Sequence, residues 1–108
     1  MAQPQSPSDE QILLRADADG VATLTLNRPG SGNSLSHALV DALSTTLRQI
    51  ADDADVRVVV LAANGKHFCT GHDLKESIAT KTGDEKRASN AACNAMMQAI
   101  VDLPQPVI

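Results

Sequence analysis

Nine consecutive residues, FCTGHDLKE at 68–76, place a thiol, an imidazole, a carboxylate and an ammonium around one glycine. Three chemistries can be built from them. With His67, the stretch offers a metal the nitrogen, sulfur and oxygen donors of His67, Cys69, His72 and Asp73. That spacing matches no zinc knuckle, and no second ligand pair closes a tetrahedral site, so no metal is expected. Cys69 beside His72, with Asp73 as an orienting third group, would be an activated nucleophile. A spacing of three in a loop does not by itself bring thiol and ring together, and a small buried residue after Phe68 is the plainer account of Cys69. The third chemistry uses the backbone. Gly71 removes a side chain where a substrate could approach the main chain. A helix starting near Asp73 would aim free N–H groups at negative charge. Donors fixed before a reaction begins suit a developing oxyanion, because no proton has to move to create them.

The chain that must position these groups is 108 residues long, which bounds it to one domain. Phe68 is its only aromatic residue, so the core must be aliphatic and stacking on bases is unavailable. A net charge of −4 with no basic run argues against nucleic-acid binding. Two cysteines, Cys69 and Cys93, make no disulfide framework and read as reduced thiols of a cytoplasmic protein. No window approaches the length of a membrane span, so no membrane partner is expected. MAQPQSPSDEQ has neither the basic and apolar regions of a secretory signal nor an Arg-rich transit pattern, and residues 1–11 read as a disordered leader.

From Ile12 the pattern becomes strand-like. ILLRAD (12–17) and VATLTLN (21–27) are joined by a turn whose Gly20 suits positive φ, with Leu24 and Leu26 on the core face. NRPGSGNS is a loop by composition, with Arg28 held extended by Pro29. Ser36 is a candidate N-cap for a helix over about 37–52, carrying Leu39, Leu43, Leu47 and Ile50 on one stripe. RVVVLAA (57–63) is an apolar, β-branched run expected to be a strand covered on both faces. The 68–76 stretch follows its carboxyl end, where open α/β sheets place their ligands. Thr82 to Glu85 has capping-box spacing for a helix over about 84–102, with Ala92, Met96, Ile100 and Leu103 inward and Met97 and Val101 widening the stripe. Val107 and Ile108 look like the start of another buried strand, and the chain reads as the N-terminal part of a longer protein. A small dinucleotide-binding module fits less well, since no G-x-G-x-x-G follows a strand.

Three blocks, in order, resemble the enoyl-CoA hydratase/isomerase (crotonase) superfamily: GVATLTLNRPGSGNSLS (20–36), VRVVVLAANGKHFCTGHDLKE (56–76) and LPQPVI (103–108). They look like the family's Asn-Arg-Pro…Asn-x-(Leu)-Ser loop, its Phe-Ser-x-Gly-x-Asp-Leu oxyanion segment and its Leu-Pro-Lys-Pro-Val-Ile run. The resemblance implies an α/β fold, the ClpP/crotonase spiral of ββα units, of which residues 12–108 would be an incomplete N-terminal portion. It implies an acyl-CoA thioester as substrate, with coenzyme A belonging to the substrate and no separate cofactor, and a homotrimer or dimer of trimers. By the same resemblance the backbone N–H of His72 is one of two oxyanion donors. Gly71, His72, Asp73, Leu74 and Lys75, with Gly30, Ser31 and Gly32, border the substrate, Lys75 towards the phosphates or adenine.

The second oxyanion donor and the glutamates that hydrate or isomerise the double bond are expected after the Pro-Val-Ile run. The segment alone is therefore expected to be inactive, and Glu76 and Glu85 are not assigned that chemistry. His72 stands where the family usually has a small residue. Gly-His-Asp-Leu resembles the branch of enoyl-CoA hydratase domain-containing proteins, in which the usual glutamates are often replaced. Its imidazole can transfer protons near neutral pH, or point away while only the amide serves. Two functions follow: oxyanion stabilisation of a thioester enolate in hydratase or isomerase chemistry, or acyl-CoA binding by a non-catalytic paralogue.

Overall fold

The structure, a computed structural model, describes residues 11–79 and 82–108, so the expected leader lies, apart from Gln11, outside the described residues. Strand β1 (Leu13–Ala18) turns into β2 (Val21–Leu26) through Asp19 and Gly20. Both turn residues have positive φ, 55° and 82°, the two-residue hairpin geometry whose twist matches that of its strands. β1 and β2 pair antiparallel, Leu13 opposite Leu26. Side chains alternate strictly along β2: Ala22, Leu24 and Leu26 are buried while Val21, Thr23 and Thr25 are partly exposed.

Helix α1 (His37–Ala51) carries the chain back so that β3 (Val58–Ala63) can pair parallel with β2, Leu24 opposite Leu61. Ser36 caps α1 as expected, its hydroxyl accepting from the Leu39 N–H at 3.1 Å. Leu39, Leu43, Leu47 and Ile50 are buried on the predicted stripe, joined by Val40. The order β-β-α followed by a parallel strand is the expected unit, and the sheet runs β1-β2-β3.

α2 (Leu74–Ala79) is short, and α3 (Gly83–Asp102) packs against α1. Thr82 caps α3 through the Glu85 N–H at 3.0 Å. The inner stripe differs from the expected one. Cys93 and Met96 are buried, Ile100 and Leu103 half-buried, whereas Ala92, Met97 and Val101 are exposed. The alanines of this helix give little apolar contrast, so contact with α1 sets its rotation and Cys93 takes the place assigned to Ala92. The buried residues of β2, α1 and α3, together with Val59, form one aliphatic cluster.

β3 is not covered on both faces. Only Val59 is fully buried, its other residues being half-exposed. Its outer neighbour is a single parallel bridge from Val59 to Val107, flanked by hydrogen bonds from Val59 N–H to Pro106 O and Leu61 N–H to Ile108 O. The terminal residues thus pair as a strand would, but Ile108 is exposed rather than buried. Among the described residues, no helix is long and apolar enough to cross a membrane.

Candidate oxyanion and coenzyme site

Two loops meet beyond the ends of β2 and β3, and a buried asparagine holds them together. Asn33 is completely buried, with φ 54°. Its Oδ1 accepts the Arg28 N–H at 2.7 Å, and its Nδ2 donates to the carbonyls of Asn64 and His67, both at 2.8 Å. The NRPGSGNS loop and the start of the 68–76 stretch are therefore pinned by one side chain. Gly32 sits with φ 63° where an added Cβ would lie 2.8 Å from the Thr70 methyl carbon, so the loops approach as only glycine allows.

Arg28 forms a second tie. Its guanidinium donates to the Ser34 carbonyl at 2.5 Å and to Asp73 Oδ2 at 3.1 Å. The other Asp73 oxygen accepts the N–H groups of Lys75 and Glu76, at 3.0 and 3.2 Å. The Glu76 N–H above all, then the Arg28 guanidinium, holds the Asp73 carboxyl below the usual carboxylate range, against the rise that partial burial would cause. This corrects the expectation of free helix-end donors near Asp73: the carboxylate caps the helix that follows it and uses two of them itself. Arg28, Asn33 and Asp73 are scaffolding.

The His72 amide is different. Leu35 donates to the Gly71 carbonyl at 2.7 Å and accepts from the Asp73 N–H at 3.2 Å, a parallel bridge between Leu35 and His72. In that pattern the flanking residues make the bonds, and the N–H of the bridged residue points the opposite way. No hydrogen bond among the described residues uses the His72 amide. Gly71 makes the approach possible with φ 99°, and a Cβ there would meet nothing within 4 Å. The imidazole of His72 is exposed.

A cleft of about 440 Å³ opens beside this amide, lined by Gly30, Ser31, Ser34, Thr70, His72, Asp73, Leu74 and Lys75. Gly30, Ser31 and the run from His72 to Lys75 are thus brought together as expected. Gly32 and Gly71 shape the loops without lining the cleft. Ser34 and Thr70 line it without having been expected to; Ser34 lies in the NRPGSGNS loop and Thr70 precedes Gly71, and that adjacency is the signal the sequence carries. The Lys75 amine has no ion-pair partner among the described residues, while Arg28 is neutralised by Asp73, so the cleft keeps one uncompensated cation. Cys69 packs against the aliphatic core but is only half-buried, short of the buried position its small-residue reading expects. His72 also borders a second cleft of about 350 Å³ between α1 and α3, with His37, Ser89 and Cys93.

Residues 16–108 match the family model described as Enoyl-CoA hydratase/isomerase. The crystal structure of an enoyl-CoA hydratase from Mycobacterium smegmatis is 48% identical with a TM-score of 0.88, over 91% of this chain and 38% of that one. Enoyl-CoA hydratase domain-containing protein 3, mitochondrial, from Danio rerio is 31% identical over 108 residues, 100% of this chain and 37% of the relative. The 1,2-epoxyphenylacetyl-CoA isomerase of Escherichia coli is 35% identical over 101 residues, 91% of this chain and 38% of the relative. The chain thus spans less than two-fifths of the length of these relatives. With the family model matched over residues 16–108 and the β-β-α unit superposing on solved enoyl-CoA hydratases, the chain belongs to the enoyl-CoA hydratase/isomerase family and has the crotonase fold.

Proposed function

We propose that the cleft beside His72 receives the coenzyme A portion of an acyl-CoA thioester, and that the His72 main-chain N–H is one donor to the thioester oxygen in hydratase- or isomerase-type chemistry. The observation that carries this reading is an amide without a partner among the described residues, at the edge of a cleft that also holds a lysine unpaired among them. A thioester enolate places negative charge on oxygen, and a preorganised N–H stabilises that charge more than it stabilises the neutral carbonyl. Lys75 suits the phosphates or adenine side of the coenzyme, as a point charge on a flexible stem. Gly30 and Ser31 supply backbone to the same wall. Trimeric or hexameric assembly and a cytoplasmic location belong to the same proposal, although some relatives carry mitochondrial or peroxisomal in their names.

The test is turnover of crotonyl-CoA by the full-length protein, with calorimetric binding of coenzyme A measured in parallel. His72→Pro deletes an N–H that no hydrogen bond among the described residues uses, whereas His72→Ala keeps it. The proline variant should lose about 100-fold more in kcat than the alanine variant, the usual cost of removing one oxyanion donor. Equal losses would overturn the backbone role. Binding of coenzyme A without turnover by the unaltered protein would select the non-catalytic paralogue.

A further inference from the structure

Side chains from three helices meet at His37, which lines the second cleft together with Ser89, and the chemistry above uses none of them. His37 lies in the first turn of α1, Glu76 in α2 and Ser89 on α3, one turn before the buried Cys93. His37 Nε2 is 3.1 Å from Ser89 Oγ, and Nδ1 is 4.0 Å from Glu76 Oε1. The same carboxylate oxygen accepts the His37 backbone N–H at 2.7 Å, which fixes it beside the ring. A negative charge on that side favours the tautomer with its proton on Nδ1. Nε2 then keeps a lone pair for the serine hydroxyl. Carboxylate, imidazole and hydroxyl in this order are the arrangement that turns an alcohol into an acyl acceptor. The Glu76 contact is longer than a hydrogen bond, and catalytic contacts of this kind commonly shorten when substrate binds. His37 and Ser89 line the cleft that His72 also borders, so a carbonyl bound there would meet the serine hydroxyl and residue 72 on the same wall.

We propose that Glu76, His37 and Ser89 form an acyl-transfer relay that hydrolyses acyl-CoA thioesters, an activity beyond hydration or isomerisation that rests on the acyl-CoA reading of the His72 site. Ser89 Oγ attacks the thioester carbonyl carbon as its proton passes to His37 Nε2, and the carbonyl electron pair moves onto oxygen opposite the His72 N–H. Collapse of that intermediate breaks the carbon–sulfur bond, and the departing thiolate takes the proton from the His37 imidazolium. Water, deprotonated by His37, then attacks the acyl-serine. The carbon–Oγ bond breaks, Ser89 regains its proton and a carboxylic acid leaves. The sum is thioester plus water giving acid plus thiol, with no oxidant or reductant required.

The experiment uses the full-length protein with crotonyl-CoA, following free thiol with an aromatic disulfide reagent. Coenzyme A binding is measured by calorimetry and hydrolysis of p-nitrophenyl acetate in parallel. Thiol release should fall about 100-fold or more in Ser89→Ala and in His37→Ala, and about tenfold in Glu76→Gln. Mass spectrometry of a quenched reaction should find the acyl group on Ser89. Thermal melts of the variants separate loss of the relay from loss of fold. Coenzyme A bound without thiol release, or release that survives Ser89→Ala, would overturn the relay and leave the coenzyme reading standing. If coenzyme A does not bind, Ser89-dependent hydrolysis of the nitrophenyl ester would uphold the relay and overturn only that reading; its absence would overturn both.

Discussion

Asn33→Ala is expected to cost the folded protein about 4 kcal/mol, a large share of the stability of an ordinary domain. The side chain makes three hydrogen bonds from a completely buried position, one accepted from Arg28 N–H and two donated to the carbonyls of Asn64 and His67. Each contributes about 1 kcal/mol net, and alanine leaves all three backbone partners without a replacement. A further ~1 kcal/mol comes from the backbone: both residues strain their Cβ in the left-handed conformation at φ 54°, but only asparagine offsets it with local polar contacts. Asn33→Gly removes the bonds but not the conformation, so it should recover about 1 kcal/mol relative to alanine. Urea unfolding of the full-length protein and both variants, fitted with a common slope, measures these differences. Because the same side chain pins the loop that leads to His72, coenzyme A affinity should fall with stability. A cost below about 1 kcal/mol for Asn33→Ala would refute the strut, since it would mean water satisfies the three partners as well as the side chain does.

Two further substitutions probe the scaffold. The Asp73 carboxyl is held below its ordinary range in the folded protein, so it stabilises the fold above the unfolded-state value near 4, and that contribution disappears as pH falls through the folded one. Asp73→Asn should therefore lower the urea midpoint at pH 7, with the gap from the unaltered protein closing on acidification; a gap independent of pH would deny the Arg28 pairing any role. Leu24→Ala, at a fully buried position on β2, should cost about 3 kcal/mol in the same assay, and a loss under about 1 kcal/mol would show that this sheet face is not the core.

Elements were legible wherever a short-range rule decided them. Alternation along Val21–Leu26, the four-four-three spacing of Leu39, Leu43, Leu47 and Ile50, and the hydroxyls of Ser36 and Thr82 each act within a few residues. The structure repeats those predictions almost residue for residue. Where the rule gave weak contrast, packing overruled it: among the alanines of α3 the partner helix chose Cys93 over Ala92, and β3 met too few neighbours to be buried on both faces. The sequence suggests free helix donors near the Asp73 carboxylate, because nothing local says that a capping side chain also reaches an arginine 45 residues away.

The order of residues alone determined the β-β-α succession, the aliphatic character of the core, the turn at Gly20 and the position of the glycine before His72, since each depends on local sterics or on apolar periodicity. Only the folded chain decided the register of β2 on β3, that Asn33 clamps two loops more than 30 residues apart, and that the His72 amide is left over when Leu35 pairs with its neighbours. It alone set the His37 ring between Glu76 and Ser89, 52 residues from the latter. Such contacts follow from how packed elements close on one another, and no spacing along the chain encodes that closure.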